Sequence, residues 1–125
     1  MKNVVVLDDD PDQVALLVHA LGGQQCQVRG FSDPFRALSA IVRGPADVLV
    51  ADLSLSWIGG EDVIQRARKQ QPKIQVILVS GHSRGAEVAK AAGVPFFMKP
   101  VDLMVLRKAV EKALVESDKE CLSKT

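Results

Sequence analysis

At 125 residues, with 47% apolar and 25% charged residues, the chain has the size and mixture of one globular domain with a real core. A formal net charge of +1, with its basic residues dispersed, leaves no electrostatic footprint for direct contact with nucleic acid. No apolar run approaches the roughly 20 residues of a membrane span, Met1-Lys2 opens no secretory signal, and Cys26 and Cys121 lack metal or redox spacing, so the expectation is a cytoplasmic protein with free thiols and no membrane insertion.

In chain order, a first strand is expected over 3–8, where Val4-Val5-Val6-Leu7 runs into Asp8-Asp9-Asp10. Asp10 then reads as an N-cap, Pro11 suits the first helical position, and Gln13 completes a capping-box pattern. Val14, Leu17, Val18 and Leu21 supply that helix's core stripe, and Gly22-Gly23 ends it. A short second strand is expected around Cys26, Val28 and Gly30-Phe31. Asp33-Pro34 opens a second helix with Ala37, Leu38 and Ile41 inward, closing near Gly44-Pro45.

The third strand, 47–52, is apolar on both faces and is expected to be central, with Asp52 at its end. A loop over 53–60 leads to a helix carrying Val63, Ile64 and Ala67 and stopping before Pro72. The fourth strand, 74–79, runs into Ser80-Gly81, and an alanine-rich helix at about 84–92 has few large anchors and is expected to be the loosest. Val94 to Met98 reads as the fifth strand and meets Lys99-Pro100. Asp102 caps a last helix with Leu103, Leu106, Val110, Ala113 and Leu114, and residues 116–125 read as polar and frayed.

Strands alternating with helices predict an α/β, doubly wound parallel sheet with helices on both faces. In such sheets ligands gather outside the carboxyl ends of the strands, which brings Asp8, Asp9, Asp52, Ser80 and Lys99 to one edge. Carboxylates, a hydroxyl and an ammonium at one point suit a divalent cation and a phosphoryl group. Two carboxylates at the end of a buried strand repel unless a cation joins them, which favours a site over a chance pair of acids. Asp10 reads as structural, His19 and His82 have no partners at metal spacing, and Trp57 either covers the site or is exposed.

These residues also carry a resemblance. Over roughly 3–115 the chain resembles the receiver (phosphoacceptor) domain of two-component response regulators. The marks are an acidic pair after strand one (Asp8-Asp9), an Asp after strand three (Asp52), a hydroxyl residue after strand four (Ser80), an aromatic in strand five (Phe96), and Lys99-Pro100 closing it. The resemblance implies a flavodoxin-like five-stranded sheet in the order 2-1-3-4-5, a receiver domain over 1–116 and a polar tail over 117–125. It implies that Asp52 accepts a phosphoryl group from a sensor histidine kinase or a histidine phosphotransfer domain. Mg²⁺, or Mn²⁺, would be held by Asp9, Asp52 and the backbone carbonyl of Ser54, with Asp8 on a metal-bound water. Lys99 would neutralise a phosphoryl oxygen, Ser80 would swing to the new group, and Phe96 would take the vacated space. The surface of the last two helices would then change toward a downstream protein partner, with a weak homodimer as a further possibility. Ser54 and His82, two residues beyond Asp52 and Ser80, fall at the family's positions for tuning the acyl-phosphate lifetime.

The chain departs from the family at Leu55-Ser56, where Met-Pro is usual, and the missing proline raises the entropy of that loop. Two rival readings follow. One is a pseudo-receiver that binds partners without phosphorylation. The other is a haloacid-dehalogenase-like phosphatase using Asp8 and Asp10, with Ser80 and Lys99 as its later motifs, although it leaves Asp52 without a role and only Asp102 follows Lys99 closely. A DNA-binding regulator is not expected of this chain, since no output domain follows residue 115.

Overall fold

Five strands alternate with five helices in the computed structural model, which describes residues 2–23, 26–52, 60–81 and 84–123, and side chains among these except Gly60 and residues 117–123. The elements are β1 (Lys2–Leu7), α1 (Pro11–Leu21), β2 (Cys26–Phe31), α2 (Pro34–Arg43), β3 (Val48–Asp52), α3 (Gly60–Gln70), β4 (Gln75–Ser80), α4 (Arg84–Ala92), β5 (Phe96–Met98) and α5 (Leu103–Ser123). All strand pairs are parallel, in the order β2-β1-β3-β4-β5.

The expected central strand is central because it is apolar on both faces: every residue of β3 is buried. Side-chain alternation divides the core in two. Val5, Leu7, Leu49, Ala51, Val76 and Leu78 face the layer of α2, α3 and α4. Val4, Val6, Val48, Val50, Ile77 and Val79 face α1 and α5 through Leu17, Leu21, Leu106 and Val110. Each such buried aliphatic contributes about 1.5–3 kcal/mol, so the sheet's position is set by these two apolar faces.

Helix starts follow their capping residues. Asp10 caps α1, accepting from the Asp12 amide at 3.0 Å rather than from Gln13, and Asp33 caps α2 through the Phe35 amide at 2.8 Å. Asp102 accepts from the amides of Met104 and Val105 at the start of α5. Several strand ends shift by one residue, and two boundaries differ from the sequence reading by more than that. β5 begins at Phe96 rather than Val94, because Pro95 has no amide hydrogen to add to the ladder. α5 continues to Ser123 instead of ending near residue 116, since Glu116-Ser117-Asp118-Lys119-Glu120 includes no glycine or proline to stop it.

Gly30 shows how closely α1 lies on the sheet. A Cβ there would stand 2.4 Å from Val14 Cγ1 and 2.7 Å from Val18 Cγ2. Both neighbours are β-branched and stiff at χ1, so α1 itself would have to move. Gly30→Val is expected to cost about 3 kcal/mol, at the upper end for overpacking, despite valine's better strand propensity. Urea unfolding with an unchanged m-value checks this, and a variant as stable as wild type would show that α1 is loosely seated.

Candidate phosphoacceptor site

The C-terminal ends of β1 and β3 place two acids where the sheet ends. Asp8 follows Leu7 directly, and Asp52 is the last residue of β3. Continuing the alternation, both lie on the α1/α5 side of the sheet, in the parity of Val6 and Val50. They are 1% and 2% exposed respectively. Unpaired charges cannot remain so buried, and both are paired: Lys99 Nζ donates to Asp8 Oδ2 at 2.9 Å and to Asp52 Oδ2 at 2.7 Å. Lys99 is brought there by its own backbone, whose amide donates to the Ser80 carbonyl at 2.9 Å as the chain leaves β5. The peptide bond to Pro100 is cis.

Asp8 uses its other oxygen locally: Oδ1 accepts from the Asp10 amide at 3.0 Å. Burial holds its carboxyl above the usual 3.8, with the Asp52 charge adding to the rise, while the Asp10 amide and Lys99 pull it down without cancelling it. Burial pushes the Lys99 ammonium down, but its hydrogen bonds to Asp52 and Asp8 outweigh that and raise it above 10.5. Asp9, by contrast, is exposed.

One carboxylate oxygen from each of Asp8, Asp9 and Asp52 lies within 4.8 Å of the other two, a grouping that could hold a metal ion. Hard oxygen donors of this kind suit Mg²⁺ or Mn²⁺ rather than a thiol-seeking metal. Among the described residues, Asp10 is outside this group, its carboxylate serving as the cap of α1.

The expected site residues therefore fall into three sets. Asp8, Asp9, Asp52 and Lys99 are together. Ser80, fully buried, is the last residue of β4, and the half-buried Phe96 opens β5 beside Leu78, on the α4 side of the sheet. Ser54, Leu55, Ser56, Trp57 and His82 lie outside the described residues. The sequence reading missed the contact of Lys99 with both acids, for which spacing carries no signal.

The model of the response regulator receiver domain matches residues 4–111. The chain belongs to the receiver domain family. The response regulator PilR of Pseudomonas aeruginosa is 28% identical over 116 residues, covering 90% of this chain and 26% of PilR. The transcriptional regulatory protein TcrA of Mycobacterium tuberculosis is 30% identical over 105 residues, covering 80% of this chain and 41% of TcrA. The receiver thus spans well under half the length of these relatives. In fold it is similar to a CheY-like receiver domain protein from Methanospirillum hungatei, at TM-score 0.87 and 23% identity over 96% of this chain and 98% of that one. A receiver from Clostridium thermocellum is similar at TM-score 0.84 and 23% identity over 98% and 99% of the two chains. No helix among the described residues of the receiver is long and apolar enough to cross a membrane.

The raised Asp8 gives the receiver a pH signature. An acid whose folded pKa exceeds its unfolded one stabilises the fold fully below the unfolded value, and that contribution is lost as pH rises through the folded value. Asp8→Asn keeps one acceptor oxygen for Lys99 and gives up the bond from the Asp10 amide, but it removes the buried charge. The metal-free protein is thus expected to gain stability at pH 7 by on the order of 1 kcal/mol, the scale of gain when site repulsion is relieved. The advantage should shrink as pH falls toward 3.8. Urea unfolding in chelator at pH 4 and pH 7 tests this; a gain that grows toward acid would contradict it.

Proposed function

We propose that Asp52 is a phosphoacceptor that takes a phosphoryl group from the histidine of a sensor kinase or phosphotransfer domain. The observation that supports this best is a buried carboxylate at the end of the central strand, held by an ammonium and grouped with two further acids. An Asp52 oxygen attacks phosphorus as the donor N–P bond breaks, and the electron pair stays on the imidazole nitrogen, which takes a proton. Charge gathers on the phosphoryl oxygens during transfer, so positioned cations supply most of the catalysis. Asp9, Asp52 and the backbone carbonyl of Ser54 would hold Mg²⁺, or Mn²⁺, which when bound neutralises those oxygens. Asp8, with one oxygen on the Asp10 amide and the other on Lys99, acts through a bound water. Lys99 turns from the acids to a phosphoryl oxygen.

Ser80 then bonds the new group and Phe96 follows, changing the surface of α4, β5 and α5 toward a downstream protein partner, or toward a second copy in a weak dimer. Ser54 and His82 set the lifetime of the acyl phosphate. The unit that does this spans residues 1–116, and it works in the cytoplasm as a phosphoacceptor rather than a conventional enzyme. A haloacid-dehalogenase-like phosphatase would need Asp10 at the reacting centre, whereas its carboxylate is committed to the Asp12 amide.

Intact mass after incubation with Mg²⁺ and acetyl phosphate tests the proposal. One added phosphoryl group is expected, removed by hydroxylamine at Asp52. A folded protein with no adduct and no beryllofluoride binding would instead be a binding module that works without phosphorylation.

A further inference from the structure

The first turn of α4 carries a glycine, the poorest helix former after proline, in an otherwise alanine-rich helix. Neither a turn nor a cap requires it there, since α4 begins one residue earlier, at Arg84, and runs on to Ala92. Packing does require it. A Cβ on Gly85 would lie 2.5 Å from Phe96 Cε1, 3.1 Å from Phe96 Cζ and 3.1 Å from Ser80 Cβ. Gly85 is itself buried, one of the two residues of α4 that are. The helix therefore meets the sheet at its start through a bare backbone, with the edge of the Phe96 ring in the place where a side chain would be.

We propose that Gly85 is the positioning residue for Phe96: its missing side chain is the niche that holds the ring inward against the core, and filling that niche is what ties the state of the site to the α4–β5 surface. The second half rests on the phosphoacceptor reading; the first does not. A side-chain carbon at this one position would meet both the ring and the carbon that carries the Ser80 hydroxyl, so the two share the space that the glycine leaves open. A rigid interior holds two discrete arrangements rather than a continuum, and a niche the width of one methyl group is enough to separate them. Phe96 Cε1 is at the far end of a side chain, so a methyl group at residue 85 moves the ring outward before it moves α4 off the sheet. Asp8, Asp9, Asp52 and Lys99 are not among the three nearest neighbours of that Cβ, so the acids and the ammonium that carry the transfer stay in place.

The test is Gly85→Ala, read by NMR with ring-¹³C-labelled phenylalanine, which adds no atom to the niche. The chain has four phenylalanines, and the resonance that disappears in Phe96→Leu identifies Phe96. In the unphosphorylated wild type, the Phe96 ring should show cross-relaxation with residue 85 and protection from a soluble paramagnetic probe. In Gly85→Ala both should be lost. A protected ring still in contact with residue 85 would overturn the niche.

Alanine is the better helix former, so any loss of stability in Gly85→Ala comes from crowding and not from the helix. That loss should disappear when the substitution is made in the Phe96→Leu background, and a loss of equal size in both backgrounds would assign the crowding to Ser80 and overturn the proposal. With Mg²⁺ and beryllofluoride, wild-type Phe96 resonances should shift while those of Gly85→Ala stay put, although both proteins take the same acetyl-phosphate adduct. Equal shifts in the two proteins would reject the coupling. If wild type takes no adduct, the phosphoacceptor reading and the coupling built on it fall, while the unphosphorylated comparison still decides the niche.

Discussion

Asp52→Asn is expected to abolish phosphoryl transfer while making the metal-free protein more stable. An amide is no nucleophile at phosphorus, so no adduct should be seen by intact mass under conditions that modify wild type. The gain in stability follows from repulsion: the Asp52 charge is among the causes that raise Asp8, and both carboxylates are almost fully buried. Removing one charge leaves Lys99 facing a single acid. About 1 kcal/mol is expected at pH 7, on the scale by which active sites are held away from their stability optimum. Thermal unfolding in chelator measures the gain, and mass spectrometry the adduct. An adduct that persists in the variant would move the phosphoacceptor away from Asp52.

Lys99→Met is expected to fail in the opposite sense, losing both stability and rate. Removing one partner of a buried pair costs roughly 3–5 kcal/mol when both groups are fully enclosed. The Lys99 side chain is 26% exposed, so water screens part of its interaction, and about 2 kcal/mol is the better expectation here. Its pH dependence has a definite sign. Lys99 is raised above 10.5, so its contribution is fully present below that value and disappears as pH rises through the folded one. The gap between wild type and variant should therefore hold steady through neutral pH and close in strong alkali. Rate should fall on the order of 10²–10³-fold, the usual effect of deleting one charge-stabilising donor. Mg²⁺ affinity should survive, because Asp8, Asp9 and Asp52 all remain. A variant that phosphorylates at the wild-type rate would leave Lys99 with only a structural part.

Much of this was legible in the sequence because it is local. Apolar runs of strand length ending in acid, serine or lysine determined the five strand–helix repeats, the parallel sheet and the edge where Asp8, Asp9, Asp52, Ser80 and Lys99 gather. The caps at Asp10, Asp33 and Asp102 were equally readable, since each bonds an amide two or three residues away. Only the tertiary structure decided what depends on distant partners. Lys99 meets Asp52 across 47 positions and Asp8 across 91, and no periodicity encodes that a single ammonium would serve both. Gly85 carried one local signal, a helix breaker in a helix's first turn, but its meaning required the Phe96 ring from the neighbouring strand. Gly30 likewise read as an unremarkable strand residue until α1 was laid across it. Short-range hydrogen bonding and apolar periodicity are properties of a segment, whereas close approach and charge pairing are properties of how segments meet.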